Sequence, residues 1–369
     1  MTRKFISLLI VMLLLSACGG PAVETFLPVQ PPTEPPPKTL SFLAAGDNLI
    51  HRPIYIEAKE KNEDYDFTHT YALIKKYVDE ADIAFINQET PLGGEVLGLS
   101  AYPQFNSPKQ LGRDLAKIGF DVVNHANNHI IDKGEIGMKN TIDFWKTQPQ
   151  VTMIGAYESA EDAKRIRVVT RNDIRLAFLT YTYGTNGLSL PKGSHFVVPY
   201  IDTELIKRQI EEAKGISDAV IVVMHWGNEN QTTPSQEQKS LAKLIADSGA
   251  DLILGMHPHV IQPIEYIGDT LVVYSLGNFI SNQASSDNML GGMVRIVFEK
   301  INYNTKIKSA KFIPVVTHFN RMYRDNTVYP LDMYTEELAS QNGVLNRDSR
   351  FTLSYIQNLL KRVIPPEFL

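Results

Sequence analysis

Short runs of β-branched, aromatic and other apolar residues recur along the chain, at residues 40–44, 83–86, 120–123, 151–154, 174–182, 219–223, 251–254 and 270–274. Each has the length and composition of a strand. Between them apolar residues take helical spacing over 67–77 and 108–118. Asp202 opens a helix predicted to stop near Gly215, and Ser235 with Gln238 forms a capping-box pattern for one that stops near Gly249. Strand–helix alternation of this kind predicts a layered α/β fold. From Gly292 the pattern changes. "MVRIVFEK" and "KIKSAKFIPVVTHF" predict a hairpin that completes a sheet, and "RDSRFTLSYIQNLLKRVI" predicts a terminal helix. His318 lies on a strand pattern and reads as structural. No repeat of fixed period is visible.

The first residues are of another kind. Arg3 and Lys4 precede a mostly apolar run, 5–15, too short for a comfortable membrane span. It reads as a signal peptide over residues 1–17. The following "LSACG" resembles a bacterial lipobox, which implies cleavage before Cys18 and a lipid on that residue. Cys18 is the only cysteine, so no intrachain disulfide is available. Residues 18–38, with "PVQPPTEPPPK", read as an extended tether. These features predict an extracytoplasmic protein held by lipid to the outer face of the cell membrane. The folded part starts near Thr39, with a main domain over 39–290 and a segment 291–369 that completes or flanks it. The formal charge is −5, and loss of Arg3 and Lys4 with the leader leaves −7. No block of like charge suggests a nucleic-acid surface.

Chemistry concentrates where the strands end: "AAGDNLIHR" carries Asp47, Asn48, His51 and Arg52, and "FINQET" carries Asn87, Glu89 and Thr90. "VVNHANNHIID" packs Asn124, His125, Asn127, Asn128, His129 and Asp132 together. Later come "MHWGNE" with His225 and Glu229, "LGMHPHVIQ" with His257 and His259, and "YSLGNF" with Ser275 and Asn278. In open α/β sheets, sites gather beyond the carboxyl ends of the strands, so these loops are expected to converge. Carboxylate, imidazole and amide oxygen suit Mn, Fe, Zn or a similar divalent ion. Without a cysteine nearby this is no thiolate zinc site. A carboxylate bridging two ions about 4 Å apart would serve phosphoester hydrolysis, with a histidine to protonate the leaving oxygen. Arg52 is placed to grip a phosphate or carboxylate in bidentate fashion. There is no Gly-x-Ser-x-Gly elbow, P-loop or dinucleotide-binding glycine motif.

"GDNLIHR", "INQETPL", "NHANNHIIDKG", "VVMHWGNE", "GMHPHVIQPIE" and "YSLGNF", in this order over residues 39–285, resemble the bacterial CapA family of capsule and poly-γ-glutamate biosynthesis proteins. That family is similar to the calcineurin-like metallophosphatases. The resemblance implies a metallophosphatase-like β-sandwich flanked by helices in α-β-β-α layers, with divalent metal ions as cofactors. It also implies an anionic surface polymer, or its synthesis and export machinery, as partner. Asp47 then matches the first-strand metal ligand, and Glu89, with Asn87 as the alternative, the bridging carboxylate. Asn128 matches a ligand and His129 the acid or phosphate contact, while His225, His257 and His259 match the metal histidines. Two departures stand out. The phosphatases' Asp-x-His is absent, with His51 four residues after Asp47, and the Gly-Asp of the second motif is replaced by Asn87-Gln88-Glu89.

Several positions keep two readings. Asp132 either orients a histidine or caps the helix starting near Gly134. His125 either faces the site or bonds backbone, the site being favoured. Asn124 closes its strand with a side chain near the site mouth. Ser275, Gly277 and Asn278 shape either the site rim or a turn, and Trp226 reads as packing. A non-catalytic component of a capsule or polymer export complex is the alternative to a hydrolase.

Overall fold

The computed structural model describes residues 36–60 and 64–369. The expected leader, Cys18 and most of the expected tether lie outside the described residues. The segment Pro37–Leu369 forms one compact unit.

Among the described residues fourteen strands follow in chain order. β1 is Lys38–Asn48, β2 Ile83–Gln88, β3 Val122–Asn124, β4 Thr152–Ile154, β5 Arg167–Arg171, β6 Ile174–Thr182 and β7 Ala219–His225. β8 is Leu252–Met256, β9 Ile264–Ile267, β10 Thr270–Val273, β11 Asn278–Ile280, β12 Leu290–Ile301, β13 Asn304–His318 and β14 Thr327–Pro330. They build two sheets. The first has the order β14-β13-β12-β1-β2-β3-β4, with β11 also pairing β1, and the second β5-β6-β7-β8-β10-β9. β1 to β4 are parallel, as are β6, β7, β8 and β10. The C-terminal hairpin β12–β13 joins the first sheet antiparallel to β1.

Side-chain parity builds the layers, because successive strand residues face opposite sides. Leu40, Phe42 and Ala44 of β1 meet Ile174, Leu176 and Phe178 of β6 and Ile221 and Val223 of β7 in the core between the sheets. Phe42 lies across this gap, its ring 6.0 Å from Phe178 and 6.4 Å from Phe85. Burying a side chain of this size stabilises by about 1.5–3 kcal/mol. The other parity, Leu43 and Ala45 with Ala84 and Ile86, packs under the helices Arg52–Glu60 and Lys109–Ile118. On the far side Val220, Val222 and Met224 pack under Thr203–Ile216 and Gln236–Asp247. The order is helices, sheet, sheet, helices: the expected α-β-β-α sandwich.

Asp202 caps its helix by accepting from the backbone of Glu204 and Leu205, and Ser235 and Gln238 complete the capping box. The helix expected over 67–77 is two short ones, Thr68–Tyr71 and Lys75–Asp79. Its first turn holds Thr68, His69 and Thr70, weak helix formers. β5, β9, β11 and β14 have no counterpart in the sequence reading. They are short, and β5 and β9 are sheet edges with mostly unburied side chains, so the apolar signal is thin. Among the described residues no helix is long and apolar enough to cross a membrane.

Candidate metal centre

The inter-sheet face changes character at the carboxyl ends of the strands. Phe85 is followed on the same face by Asn87, Val122 by Asn124, Phe178 by Thr180 and Val223 by His225. Asp47 reaches this face by an irregularity. By parity it would join Ala45 under the helices, but the β1–β2 register shifts between Ala45 and Asp47 and sets Asp47 beside Asn87. A bulge of this kind re-aims a side chain. The backbone N–H of Asp47 then donates to Gly277 O at 2.9 Å. Close approach there requires Gly46, since a Cβ on it would lie 2.2 Å from that oxygen.

A buried polar chain supports the site from beneath. Asn87 Nδ2 donates to Asp47 Oδ1 at 2.8 Å, Asn124 Nδ2 to Asn87 Oδ1 at 2.8 Å, and Thr180 Oγ1, from the opposite sheet, to Asn124 Oδ1 at 2.7 Å. Asn87 therefore spends its amide oxygen on Asn124, which leaves Glu89 as the free carboxylate of its motif. Asn124 is not near the mouth as expected; it lies in this floor, locked between two sheets.

Above the floor, buried ligand atoms converge. Glu89, His225 and His257 offer ligand atoms within 4.8 Å of one another, and so do Asp47, Glu89 and His259. Glu89 belongs to both groups. Its Oε1 lies 3.8 Å from His225 Nε2 and 3.6 Å from His259 Nε2, and neither carboxylate oxygen has a hydrogen-bond partner although the residue is fully buried. His225 Nδ1 and His257 Nδ1 are likewise buried without partners. Each such atom costs about 1–3 kcal/mol, more if charged. Burial pushes the Glu89 carboxyl well above its ordinary range and the His225 and His257 imidazoles well below theirs, so both imidazoles are neutral. Burial would lower His259 too, but the Glu89 and Asp47 carboxylates beside it raise it to about 9. Its Nδ1 lies 3.1 Å from Asp47 Oδ2, which also accepts the His257 backbone N–H at 3.2 Å. A carboxylate without hydrogen-bond partners and two neutral imidazoles fit a divalent-metal site.

The His-Pro-His turn is strained: His257 has φ +95° and His259 φ +58°. Non-glycine residues held there cost about 1–3 kcal/mol each and cluster at functional sites. At the opposite wall, Asn128 Oδ1 lies 2.8 Å from His225 Nε2, and Asn128 Nδ2 bonds Asn186 Oδ1 at 3.2 Å. His129 Nδ1 lies 2.7 Å from Asp132 Oδ2, and Phe105 packs edge-on against the ring at 4.7 Å. Asp132 thus orients His129. It does not cap the helix Gly134–Lys146, whose N-cap is Lys133 and has no side-chain bond.

Three expected residues are elsewhere. His125 turns away from the centre: its Nε2 accepts from Trp145 Nε1 at 2.8 Å, and burial lowers it to about 3. Trp145→Phe should therefore cost about 1–3 kcal/mol in urea unfolding while leaving ion binding unchanged. The His51 Nδ1 is 3.1 Å from Leu49 O, burial lowers the ring to about 4, and it joins neither ligand group. Arg52 is exposed and lines a groove of about 800 Å³ with Tyr55, Tyr102 and Lys133, outside the ligand cluster. Gly277 forms a turn at φ +66°, and Trp226 is packing, its Nε1 donating to Tyr274 O at 3.0 Å. The sequence reading missed Thr180, which lies inside the strand run 174–182, and Tyr183, which follows it. Tyr183 packs its ring 4.6 Å from His257 at the site mouth.

The sequence model of the bacterial capsule synthesis protein family PGA_cap matches residues 41–283. The chain belongs to this family. The PGA biosynthesis protein CapA of Bacillus subtilis (strain 168) is 33% identical over 66% of this chain and 64% of its own length. The capsule biosynthesis protein CapA of Bacillus anthracis is 28% identical over 86% and 80%. The chain thus spans less than two thirds of the first of these relatives. Among solved structures, the calcineurin-like phosphoesterase YfkN of Bacillus subtilis aligns at a TM-score of 0.49 and 17% identity, over 89% of this chain and 99% of that one. The matched span contains every ligand residue described above, from Asp47 to His259.

Proposed function

We propose that this capsule-synthesis-family protein is a divalent-metal-dependent hydrolase of cell-surface polymer metabolism, acting on phosphoester or related bonds. We further propose that it is lipid-anchored through Cys18 on the outer face of the cell membrane. The observation that carries the catalytic reading is Glu89, a fully buried carboxylate whose oxygens have no hydrogen-bond partner, shared by two ligand groups. The names of its relatives carry the polymer reading, and the lipobox-like "LSACG" carries the location.

Ions bound there would acidify a water molecule and polarise a phosphoryl oxygen. The rest falls to the chain. Asp47, Glu89, Asn128, His225, His257 and His259 hold the centre, and the Asn87–Asn124–Thr180 chain fixes Asp47 in place. Asp132 holds the His129 ring in one orientation through Nδ1, and Nε2, 3.3 Å from Asn128 Nδ2, is the atom that would take up a proton and hand it to a leaving oxygen. Phe105 packs against that ring and restricts water around it.

The test uses the full-length chain in detergent, loaded with Mn²⁺ or Zn²⁺ and assayed on bis(p-nitrophenyl) phosphate. Hydrolysis is expected, and His129→Ala is expected to lower it about 10²–10⁴-fold, the usual contribution of a positioned acid. No hydrolysis by loaded wild type, together with polymer production restored in a deletion strain by the Asp47→Ala/His257→Ala double variant, would instead establish a scaffolding role.

A further inference from the structure

Besides the two buried ligand groups there is a third, Glu229 with His257 and His259, and it differs in that Glu229 is exposed. It shares His257 with the group of Glu89 and His225, and His259 with the group of Asp47 and Glu89. Glu229 therefore addresses the centre from the solvent side.

The segment that carries it is built onto the His-Pro-His turn. Trp226 N–H donates to Met256 O at 3.1 Å, and Asn230 N–H donates to Pro258 O at 2.8 Å, so residues 226–230 are pinned on both sides of Glu229. Asn288 adds a second tie, donating through Nδ2 to Asn230 Oδ1 at 2.8 Å and to His259 O at 3.1 Å. The carboxylate itself makes no ion pair or side-chain hydrogen bond with the described residues. An exposed glutamate free to turn away would not normally be fixed at its backbone against two histidines. The independent observation is His257, 3% exposed, with Nδ1 unpartnered and its backbone held at φ +95°. A strained, unsatisfied imidazole in the same group as a carboxylate points to an ion between them. His51, the residue that sequence spacing offered as an extra ligand, is in no such group.

Resting on the metal reading above, we propose that Glu229 is an exchangeable metal ligand on the solvent face of the centre, displaced by an anionic oxygen of the substrate. The six residues Asp47, Glu89, Asn128, His225, His257 and His259 are buried and pre-set, whereas this carboxylate faces water and can leave. Tyr183, 46% exposed and packed on His257, flanks the same mouth. An incoming phosphate or carboxylate would then replace one anionic ligand by another, and no net charge would be added at the ion.

The experiment titrates Mn²⁺ into the full-length wild type, Glu229→Gln and Glu229→Ala, reading free Mn²⁺ by electron paramagnetic resonance, then titrates inorganic phosphate into each loaded protein by calorimetry. Thermal unfolding of each variant checks its fold, which an exposed substitution should leave intact. Both variants are expected to keep one Mn²⁺ at wild-type affinity, to bind the second at least tenfold more weakly, and to bind phosphate several-fold more tightly per ion held. Both Mn²⁺ affinities and the phosphate affinity unchanged within twofold would overturn the role of Glu229 while leaving the metal centre standing. A wild type that takes up no Mn²⁺ or Zn²⁺ would overturn the metal centre itself, and this inference with it.

Discussion

Glu89→Gln is expected to make the metal-free protein more stable and to abolish its stabilisation by added ions. Both effects come from one carboxylate. In the wild type both oxygens are buried without partners, near the Asp47 carboxylate, and burial raises the Glu89 pKa well above its ordinary value. The sign follows from linkage. Above the ordinary carboxylate range the unfolded chain has lost this proton while the folded chain keeps it, so the metal-free protein loses stability as pH rises. Glutamine has no proton to lose, and the variant should gain about 1–3 kcal/mol near pH 8, with little gain near pH 4. Ion binding reverses the ranking. Wild type at an ion concentration a hundred times Kd gains about 2.7 kcal/mol, whereas the variant lacks the bridge for both ions and gains none. Glu89 and His259 together also hold a proton that an incoming ion must displace, so wild-type affinity for Mn²⁺ or Zn²⁺ should rise with pH. Unfolding curves at two pH values, with and without ion, check each part.

Gly155→Ala is expected to damage both the fold and the site. Gly155 follows β4 at φ +90°, and a Cβ there would lie 2.1 Å from Ala126 N and 2.8 Å from Ala126 Cα. No flexible side-chain end is available to yield; backbone must move. That backbone is the start of the segment holding Asn127, Asn128 and His129, and it is tied down by His125 N–H on Ile154 O at 2.9 Å. Overpacking and the left-handed conformation together should cost roughly 3 kcal/mol. Displacement of Asn128 should weaken ion binding as well. Gly184→Ala, with open space around it and no positive φ, is the control and should be near neutral. Urea unfolding and Mn²⁺ titration of the two variants separate the effects.

Much of the architecture could be read from the chain because the central strands are short, well-separated apolar runs. Residues 176–179 of β6 and 219–224 of β7 are apolar without interruption, as expected for strands covered on both sides. What the pattern lacked was partnership. Nothing in residues 40–44 says that β1 pairs β12 from the C-terminal hairpin on one side and β2 on the other. The site was legible where polar residues interrupt apolar runs, as at His225 after Val223. It was obscured where geometry reverses parity: the register shift that turns Asp47 inward and the left-handed turn at His257 and His259 depend on backbone conformation. His125 and His129 are indistinguishable by residue type in "NHANNH", yet one faces Trp145 and the other Asp132. Glu229 stands in the sequence among the polar residues at the strand ends, and its fixed backbone and two histidine neighbours give it a position there.

Glu89, shared by both buried ligand groups, would hold both divalent ions. The most direct test is anomalous diffraction from a crystal of the protein soaked in Mn²⁺. Two anomalous peaks about 4 Å apart are predicted, one among Glu89, His225 and His257 and one among Asp47, Glu89 and His259, with a Glu89 oxygen on each. No peak at these residues, or a single peak that Glu89 does not touch, would contradict the account.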